Sequence, residues 1–329
     1  MKATLEYLLE GNSLNQSQAF EVMKGIGNGK YSKAHITAFI THYWYKPVST
    51  NELGGFRNAL LELAVPLEMD TTHAIDLCGT GGDGKNTFNI STLTAVIVAG
   101  AGYKVAKHGN YGVTSISGSS NVLEALGYQF SSKSDVLSNQ LETCNLTFIH
   151  APLFHPALKE VGGIRRSLGI KTFFNMLGPL VNPSQPKYQM VGVYDLHIAR
   201  QYQYLFQQSD KQYAIIHNLD GYDEITLTDN ARVISNTFDG ILSPTELMHS
   251  GKIVPSDIFG GKTVEDAAAI FNSILKGNGS KAQNGVVLAN AALAIKTITN
   301  NELEVCFKEA QEALLSGKAY TNFNNLING

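Results

Sequence analysis

The side chains best equipped for chemistry stand together in residues 76–92. Four glycines, the carboxylate of Asp83, Lys85 and the hydroxyls of Thr80, Thr87, Ser91 and Thr92 share this one short stretch. The apolar run 74–77 leading in has strand character, and the small-residue apolar run 93–100 leading out has that of a buried helix. Strand, glycine loop and helix in that order point backbone N–H groups and a helix N-terminus at an anion. The expected ligand is therefore phosphorylated.

Three phosphate-binding patterns compete for the loop. Gly79-x-Gly81-x-x-Gly84 fits the dinucleotide fingerprint. That fingerprint also needs an acidic residue about 20 positions on, at the end of the next strand. The strand-like segment 103–107 brings two lysines and no acid. Gly79-x-x-x-x-Gly84-Lys85 nearly makes a P-loop, but Asn86 stands where a hydroxyl must hold magnesium, and Thr87 comes one residue late. The third pattern is a cradle for a sugar phosphate carrying pyrophosphate, served by amides, hydroxyls and a metal. The rest of the chain favours it. A tight turn whose glycines serve only backbone geometry is the plain alternative.

A second loop of the same kind leaves the strand 104–107. It runs from Lys107, His108, Gly109, Asn110, Tyr111 and Gly112 into the hydroxyl-rich 114–120, and precedes a helix expected over 121–126. Loops at the carboxyl ends of parallel strands share the crevice where ligands bind. Lys107 has the reach for a phosphate, and Asn110 can both donate and accept; a lone histidine such as His108 more often has a structural role. Arg165 and Arg166 are adjacent, so a helix splays them apart and only one can face such a crevice. Asp223 and Glu224 follow the strand 213–217 in a turn, where neighbouring side chains can face one site. Magnesium is usually held by one or two carboxylates plus substrate phosphates. A solvated acidic turn is the alternative. His150 and His155 lack metal-ligand spacing on a helix.

These residues need a scaffold, and 329 residues suffice for one large or two moderate domains with a core that needs no staples. The charged content of 16% and formal net charge of −3, without a lysine/arginine tract, argue against a nucleic-acid binder. Three scattered cysteines, Cys78, Cys144 and Cys306, suggest neither zinc nor a disulfide framework, and fit a reduced, cytoplasmic compartment. No signal core or membrane-length apolar run is expected.

The first 65 residues read as helices. Ala19, Val22, Met23 and Ile26 make one apolar face. Ser32 is a plausible N-cap for a helix carrying Ile36, Phe39, Ile40 and Tyr43, and Ser49 to Glu52 is a capping box before Leu53, Phe56 and Leu60. Tyr43, Trp44 and Tyr45 are expected to form a packing cluster. Beyond the break at Pro66, strands and helices alternate, which implies a largely parallel sheet. Strands are expected over 147–150, 188–194 and 213–217, with helices over 198–208, 264–276, 282–297 and 301–316. A packed helix is expected in 171–183.

Taken in order, Gly79-Thr-Gly-Gly-Asp83, Asn89-Ile-Ser-Thr92, Lys107-His-Gly-Asn110, Ser117-Gly-Ser119, Phe174-Asn-Met-Leu-Gly-Pro-Leu180 and Gly221-Tyr-Asp-Glu224 resemble the anthranilate phosphoribosyltransferases of tryptophan biosynthesis. The resemblance covers nearly the whole chain. It implies an α/β protein of the nucleoside-phosphorylase-like phosphoribosyltransferase fold: a small helical domain (1–65 plus about 162–185) hinged to a large α/β domain (66–161 plus 186–329) with a mostly parallel central sheet. It implies a cytoplasmic homodimer with two Mg2+ per monomer. Phosphoribosyl pyrophosphate would be held by Gly79, Gly82, Asp83, Thr87, Asn89, Ile90, Ser91 and Thr92 of the first loop. From the second it would be held by Lys107, His108, Gly109, Asn110, Tyr111, Gly112, Val113, Thr114, Ser115 and Ser119. Gly79, Asn110 and Arg165 would contact anthranilate, with Arg165 on its carboxylate. Ser91, Asp223 and Glu224 would bind the metal. Tyr111 and Lys171 stand where the family commonly has arginine.

The implied chemistry needs no assigned general base, because anthranilate's amine is neutral at pH 7 and attacks as it stands. Positioning and electrostatics carry the reaction. Two rivals are a pyrimidine nucleoside phosphorylase of the same fold and a non-catalytic nucleic-acid-binding relative. Asp223-Glu224 and Lys107-His-Gly-Asn110 speak against the first, and the net charge of −3 against the second.

Overall fold

The computed structural model describes residues 1–112 and 116–329, Glu160 by its backbone alone. The chain forms two compact units, Met1–Leu67 with Ala151–Pro183, and Glu68–His150 with Ser184–Gly329.

The first unit is helical, with its main helices at Lys2–Leu9, Gln16–Gly27, Lys33–Tyr45, Thr50–Glu62 and Leu158–Leu168. Its N-termini are set by the expected caps: Ser32 Oγ accepts from the His35 N–H, and Ser49 and Glu52 cap each other reciprocally. Glu52 is buried because its carboxylate is saturated. One oxygen accepts from the Leu14 N–H and the Tyr43 hydroxyl, the other from the Ser49 N–H and hydroxyl. Phe39, Tyr43, Phe56 and Phe173 pack edge-on or tilted at 5.0–6.1 Å around this point.

The sequence reading needs three corrections in this unit. Trp44 and Tyr45 do not join Tyr43 in the core; they are 69% and 92% exposed. Consecutive helix positions point about 100° apart, so burying Tyr43 turns its neighbours outward. The segment 151–161, expected in the α/β domain, belongs to the helical unit. The Val65 N–H donates to the Phe154 carbonyl at 2.8 Å, and the His155 ring bonds the Val181 carbonyl at 2.8 Å, which fasten it there. Residues 171–183 form two short 3-10 turns, Phe173–Met176 and Gly178–Leu180, rather than a helix. Gly178 and Pro179 interrupt the ladder, and Asn175 Oδ1 diverts to the Thr172 N–H.

The second unit is built on a seven-stranded sheet. Its strands are β1 (Ala74–Gly79), β2 (Lys104–Gly109), β3 (Leu146–His150), β4 (Tyr188–Gly192), β5 (Gln212–Asn218), β6 (Ala231–Ser235) and β7 (Asp239–Leu242), in the spatial order β3-β2-β1-β4-β5-β6-β7. The first five are parallel, as the alternation predicts, and β6 and β7 are antiparallel. This hairpin was not read from the sequence. The helix Ile90–Gly100 is buried all round, beside the sheet and against Lys281–Thr299, Leu303–Leu315 and Lys318–Asn328, as a helix apolar on every side must be. Lys318–Asn328 is a closing helix beyond those expected; Ala319, Phe323 and Leu326 carry its buried stripe.

The chain winds outward from β1 through β2 to β3, then returns to pair β4 on the other side of β1. The β1/β4 junction is therefore the switch point of the sheet, where the crevice opens beyond the strand ends.

Candidate active site

At that junction β1 ends on Gly79 and β4 on Gly192, paired side by side. The turn after β5 packs on both. A Cβ built at Gly192 would overlap the Asp223 carbonyl oxygen, and one built at Gly79 would overlap Asp223 Oδ2. Glycine at both positions thus admits the Asp223 backbone and side chain to the switch point. The turn is rigidly made. The Asn218 N–H donates to the Tyr222 carbonyl at 3.1 Å, and the Asn218 amide and the Thr228 hydroxyl bond the two oxygens of Asp220 at 2.5 and 2.6 Å. Buried Asn290, from the helix Lys281–Thr299, bonds both the N–H (3.3 Å) and the carbonyl (2.7 Å) of Ile225. Asn290 is a positioning residue that sequence reasoning missed. Its one signal was an amide inside an otherwise apolar helical run.

The turn delivers two carboxylates to the glycine loop. Asp223 Oδ2 accepts from the Gly81 N–H at 2.7 Å. Glu224 Oε1 accepts from the Ser91 N–H at 2.9 Å, with Thr87 Oγ1 at 3.5 Å from Oε2. The anion expected at the N-terminus of the helix Ile90–Gly100 is thus met first by the protein's own Glu224. Burial holds both carboxyls well above the ordinary carboxylate range. The charge of Asp83 adds to this at Asp223, and that of Asp223 adds to it at Glu224. Beneath them, Lys107 is buried, its ammonium bonded to the Leu77 carbonyl and 3.5 Å from Ser91 Oγ. His108 is also buried, and its N–H donates to Asp76.

The glycine loop turns through three left-handed residues, Gly81, Gly82 and Gly84. Its far side is tied to a segment the sequence did not flag. Thr87 bridges Phe259, the Phe88 N–H bonds the Ile258 carbonyl at 3.1 Å, and the Asn86 amide bonds the Gly261 carbonyl at 2.9 Å. Asn89 stands at the N-cap without capping. Its side-chain amide instead donates to the Ser117 carbonyl at 3.0 Å, joining the first loop to the second.

The second loop closes on itself around Asn110 and Asn121. The Asn110 carbonyl accepts from Ser119 Oγ and the Ser120 N–H, each at 3.2 Å. Asn121 Oδ1 accepts from the N–H groups of Gly112 (2.9 Å) and Gly118 (3.0 Å). Tyr111 donates its hydroxyl to Glu124 at 2.7 Å and sets its ring edge on His150, whose Nδ1 is 2.8 Å from Ser120 Oγ. Of the expected site residues, Val113, Thr114 and Ser115 lie outside the described residues. Tyr111→Phe keeps the ring contact and loses the Glu124 bond. Losing about 1 kcal/mol of pinning corresponds to about fivefold faster amide exchange at Tyr111 and Gly112, followed by hydrogen-exchange mass spectrometry. Unchanged exchange would show that Tyr111 does not hold the loop.

In the helical unit, Arg165 and Arg166 part as expected. Arg166 is exposed, while Arg165 is half-buried, with its guanidinium 5.6 Å from the centre of the Phe174 ring and Nη2 3.1 Å from Asn175 Oδ1. Burial lowers its pKa. Among the described residues no carboxylate forms an ion pair with it.

A metal would find hard oxygen donors in Asp223, Glu224 and Ser91. Among the described residues no group of three or more His, Cys, Asp or Glu could hold one alone. Two carboxylates that resist ionisation together fit a divalent cation whose remaining ligands come from substrate and water.

Comparison with known proteins converges. Residues 71–320 match the glycosyl transferase family α/β domain, and residues 2–64 match the helical bundle domain of that family. The anthranilate phosphoribosyltransferase of Christiangramia forsetii is 51% identical over 99% of this chain and 98% of its own length; that of Bacteroides fragilis is 48% identical over 99% of each. The Thermus thermophilus anthranilate phosphoribosyltransferase structure superposes with a TM-score of 0.91 at 28% identity, over 98% of both chains. The Saccharomyces cerevisiae enzyme, solved with PRPP and Mg, shares the fold with a TM-score of 0.91 at 24% identity, over 100% of this chain and 98% of that one. With both domains matched and near-full-length relatives at about half identity, the chain belongs to the anthranilate phosphoribosyltransferase family of glycosyl transferases.

Proposed function

We propose that this protein transfers the phosphoribosyl group of 5-phosphoribosyl 1-pyrophosphate to the amine of anthranilate, giving N-(5-phosphoribosyl)anthranilate and pyrophosphate, in tryptophan biosynthesis. The observation that carries the reading is the seating of Asp223 and Glu224 at the switch point, on Gly79, Gly81 and Ser91.

In this reaction the bond from the anomeric carbon to the pyrophosphate oxygen breaks, and the electron pair leaves with pyrophosphate. Positive charge develops on the ribose. The amine's lone pair forms the new C–N bond, and the amine proton then passes to solvent. Asp223 and Glu224, with Ser91, are proposed to hold Mg2+, two ions per monomer. Bound there, magnesium supplies charge stabilisation to the departing pyrophosphate.

Loop amides and hydroxyls from Gly79 to Thr92, the second loop through Gly112, and Ser119 are proposed to fix the phosphoribosyl pyrophosphate. Gly79 and Asn110 are proposed to touch anthranilate, and Arg165 to take its carboxylate. A half-buried guanidinium that, among the described residues, bonds an amide oxygen and pairs with no carboxylate is suited to that task. No side chain is required as general base, so the protein's contribution is orientation and a prepared field. The chain is proposed to act as a cytoplasmic homodimer; exposed Trp44 and Tyr45 support a partner surface on the helical unit. No helix among the described residues is long and apolar enough to cross a membrane.

The test is loss of anthranilate fluorescence on mixing with phosphoribosyl pyrophosphate and magnesium; absence of turnover refutes the reading. Arg165→Ala is expected to raise the anthranilate KM roughly 30-fold or more, as loss of a buried charge partner does, with the phosphoribosyl pyrophosphate KM little changed. The reverse pattern in steady-state kinetics would reassign Arg165 to the other substrate.

A further inference from the structure

Lys85 is the one cationic residue of the glycine loop, and the proposed function leaves its side chain unused. It is the lysine of the near-miss P-loop spacing, on a loop that lacks the P-loop hydroxyl. The structure gives it a defined place. Gly84 is left-handed, and the Lys85 N–H donates to Asp83 Oδ1 at 3.0 Å, which fixes the direction in which its side chain departs. The ammonium lies 4.7 Å from the centre of the Tyr222 ring. Tyr222 is buried and immediately precedes Asp223. Lys85 therefore links the two halves of the site: its backbone belongs to the glycine loop, and its charge rests on the residue beside the carboxylate pair.

The local charges explain why a second cation is useful there. Asp83, Asp223 and Glu224 act on one another electrostatically. Lys107, the cation beneath them, spends its ammonium on the Leu77 carbonyl and Ser91 Oγ. A diphosphate brought to this place adds further negative charge. An exposed lysine on an aromatic face is held weakly enough to be shared with such an anion.

We propose that Lys85 is a binding residue for the diphosphate group of phosphoribosyl pyrophosphate, and that Tyr222 positions it. The inference rests on the proposed function. It is specific to the diphosphate, because Lys85 stands beside the carboxylate pair proposed to hold the magnesium that this group binds. The ring of Tyr222 provides the face, so Tyr222→Leu, which removes it, should weaken magnesium pyrophosphate as Lys85→Met does.

Calorimetric titration with magnesium pyrophosphate and, separately, with ribose 5-phosphate tests this on the full chain. Lys85→Met should weaken magnesium pyrophosphate about tenfold, the loss of one charged contact, and leave ribose 5-phosphate unchanged. Lys85→Arg should restore most of the affinity. In steady state, Lys85→Met should raise the phosphoribosyl pyrophosphate KM with kcat and the anthranilate KM little altered. Equal weakening of both titrants would overturn the diphosphate assignment. Unchanged pyrophosphate affinity in Lys85→Met, with the parent binding normally, would overturn the role of Lys85 and leave the proposed function standing. A parent that binds no pyrophosphate with magnesium would take down both.

Discussion

Glu224→Gln should lower kcat by about 10²–10³-fold, the scale set by removing one preorganised electrostatic group, while making the metal-free protein more stable at pH 8. The two effects share one cause. A glutamine can still present an oxygen to the Ser91 N–H, now 2.9 Å from Glu224 Oε1, so the local geometry survives. Its missing charge removes a proposed ligand for magnesium, and also removes a carboxylate that burial and Asp223 keep above its ordinary range. A carboxyl whose folded pKa is raised binds its proton more tightly folded than unfolded. Its contribution to stability is therefore full at low pH and is lost as pH rises from the ordinary carboxylate range through the raised value. Without metal, the parent should lose Tm between pH 6 and pH 8, and Glu224→Gln should lose less. Magnesium with pyrophosphate should restore more Tm to the parent at pH 8 than at pH 6, because protons and metal compete for the same oxygens. Differential scanning fluorimetry at both pH values and turnover under saturating substrates give the two readings. An active Glu224→Gln, or one less stable than the parent at pH 8, would contradict the assignment.

Gly192→Ala should be the most damaging single-methyl change in the sheet unit. The added Cβ would overlap the Asp223 carbonyl oxygen, and its neighbours there are backbone atoms rather than the end of a flexible side chain. The Gly192 carbonyl is itself bonded to the Thr80 N–H at 2.9 Å, so β4 cannot retreat without loosening the first loop. Overpacking of this kind costs about 3 kcal/mol, and it pushes the Asp223–Glu224 turn against the Asn290 bonds that brace it. Activity should fall by at least about 10²-fold, with Tm lower by several degrees. A control, Gly277→Ala, places the methyl at another glycine where, among the described residues, no heavy atom beyond its chain neighbours lies within 4 Å. Gly277 has a positive φ of 79°, so the control reports backbone strain without the clash. If both variants keep activity equally, close approach at Gly192 is not what seats the carboxylates.

The uneven legibility of the site follows from the range of the forces involved. The helix starts at Ser32 and Ser49 were readable because each cap bonds an N–H three residues on. The strand–loop–helix around Gly79 to Thr92 was readable because glycine density, hydroxyls and the flanking apolar runs are all local. The separation of Arg165 from Arg166 needed only helix geometry. By contrast, Trp44 and Tyr45 show that an aromatic run does not say which member is buried; the partner surface decides. The two turns in 171–183 were misread because Phe173, Phe174, Met176 and Leu177 are apolar enough for a helix, while the break comes from Gly178, Pro179 and the side chain of Asn175.

The sequence by itself pointed to a phosphorylated ligand, and it determined the two-part division into helical and α/β segments and which residues carry hydroxyls, amides and carboxylates to strand ends. The tertiary structure decided how those groups meet. Asp223 lies 142 residues from Gly81 along the chain and 2.7 Å from it in space. That contact depends on strand order, on two glycines brought side by side by β1–β4 pairing, and on Asn290 bracing the turn from another helix. Short-range hydrogen bonds and hydrophobic periodicity act over a few residues and leave a pattern that can be read. The approach of Asp223 to Gly79 and Gly192 comes from packing distant segments, and no local run of residues encodes it.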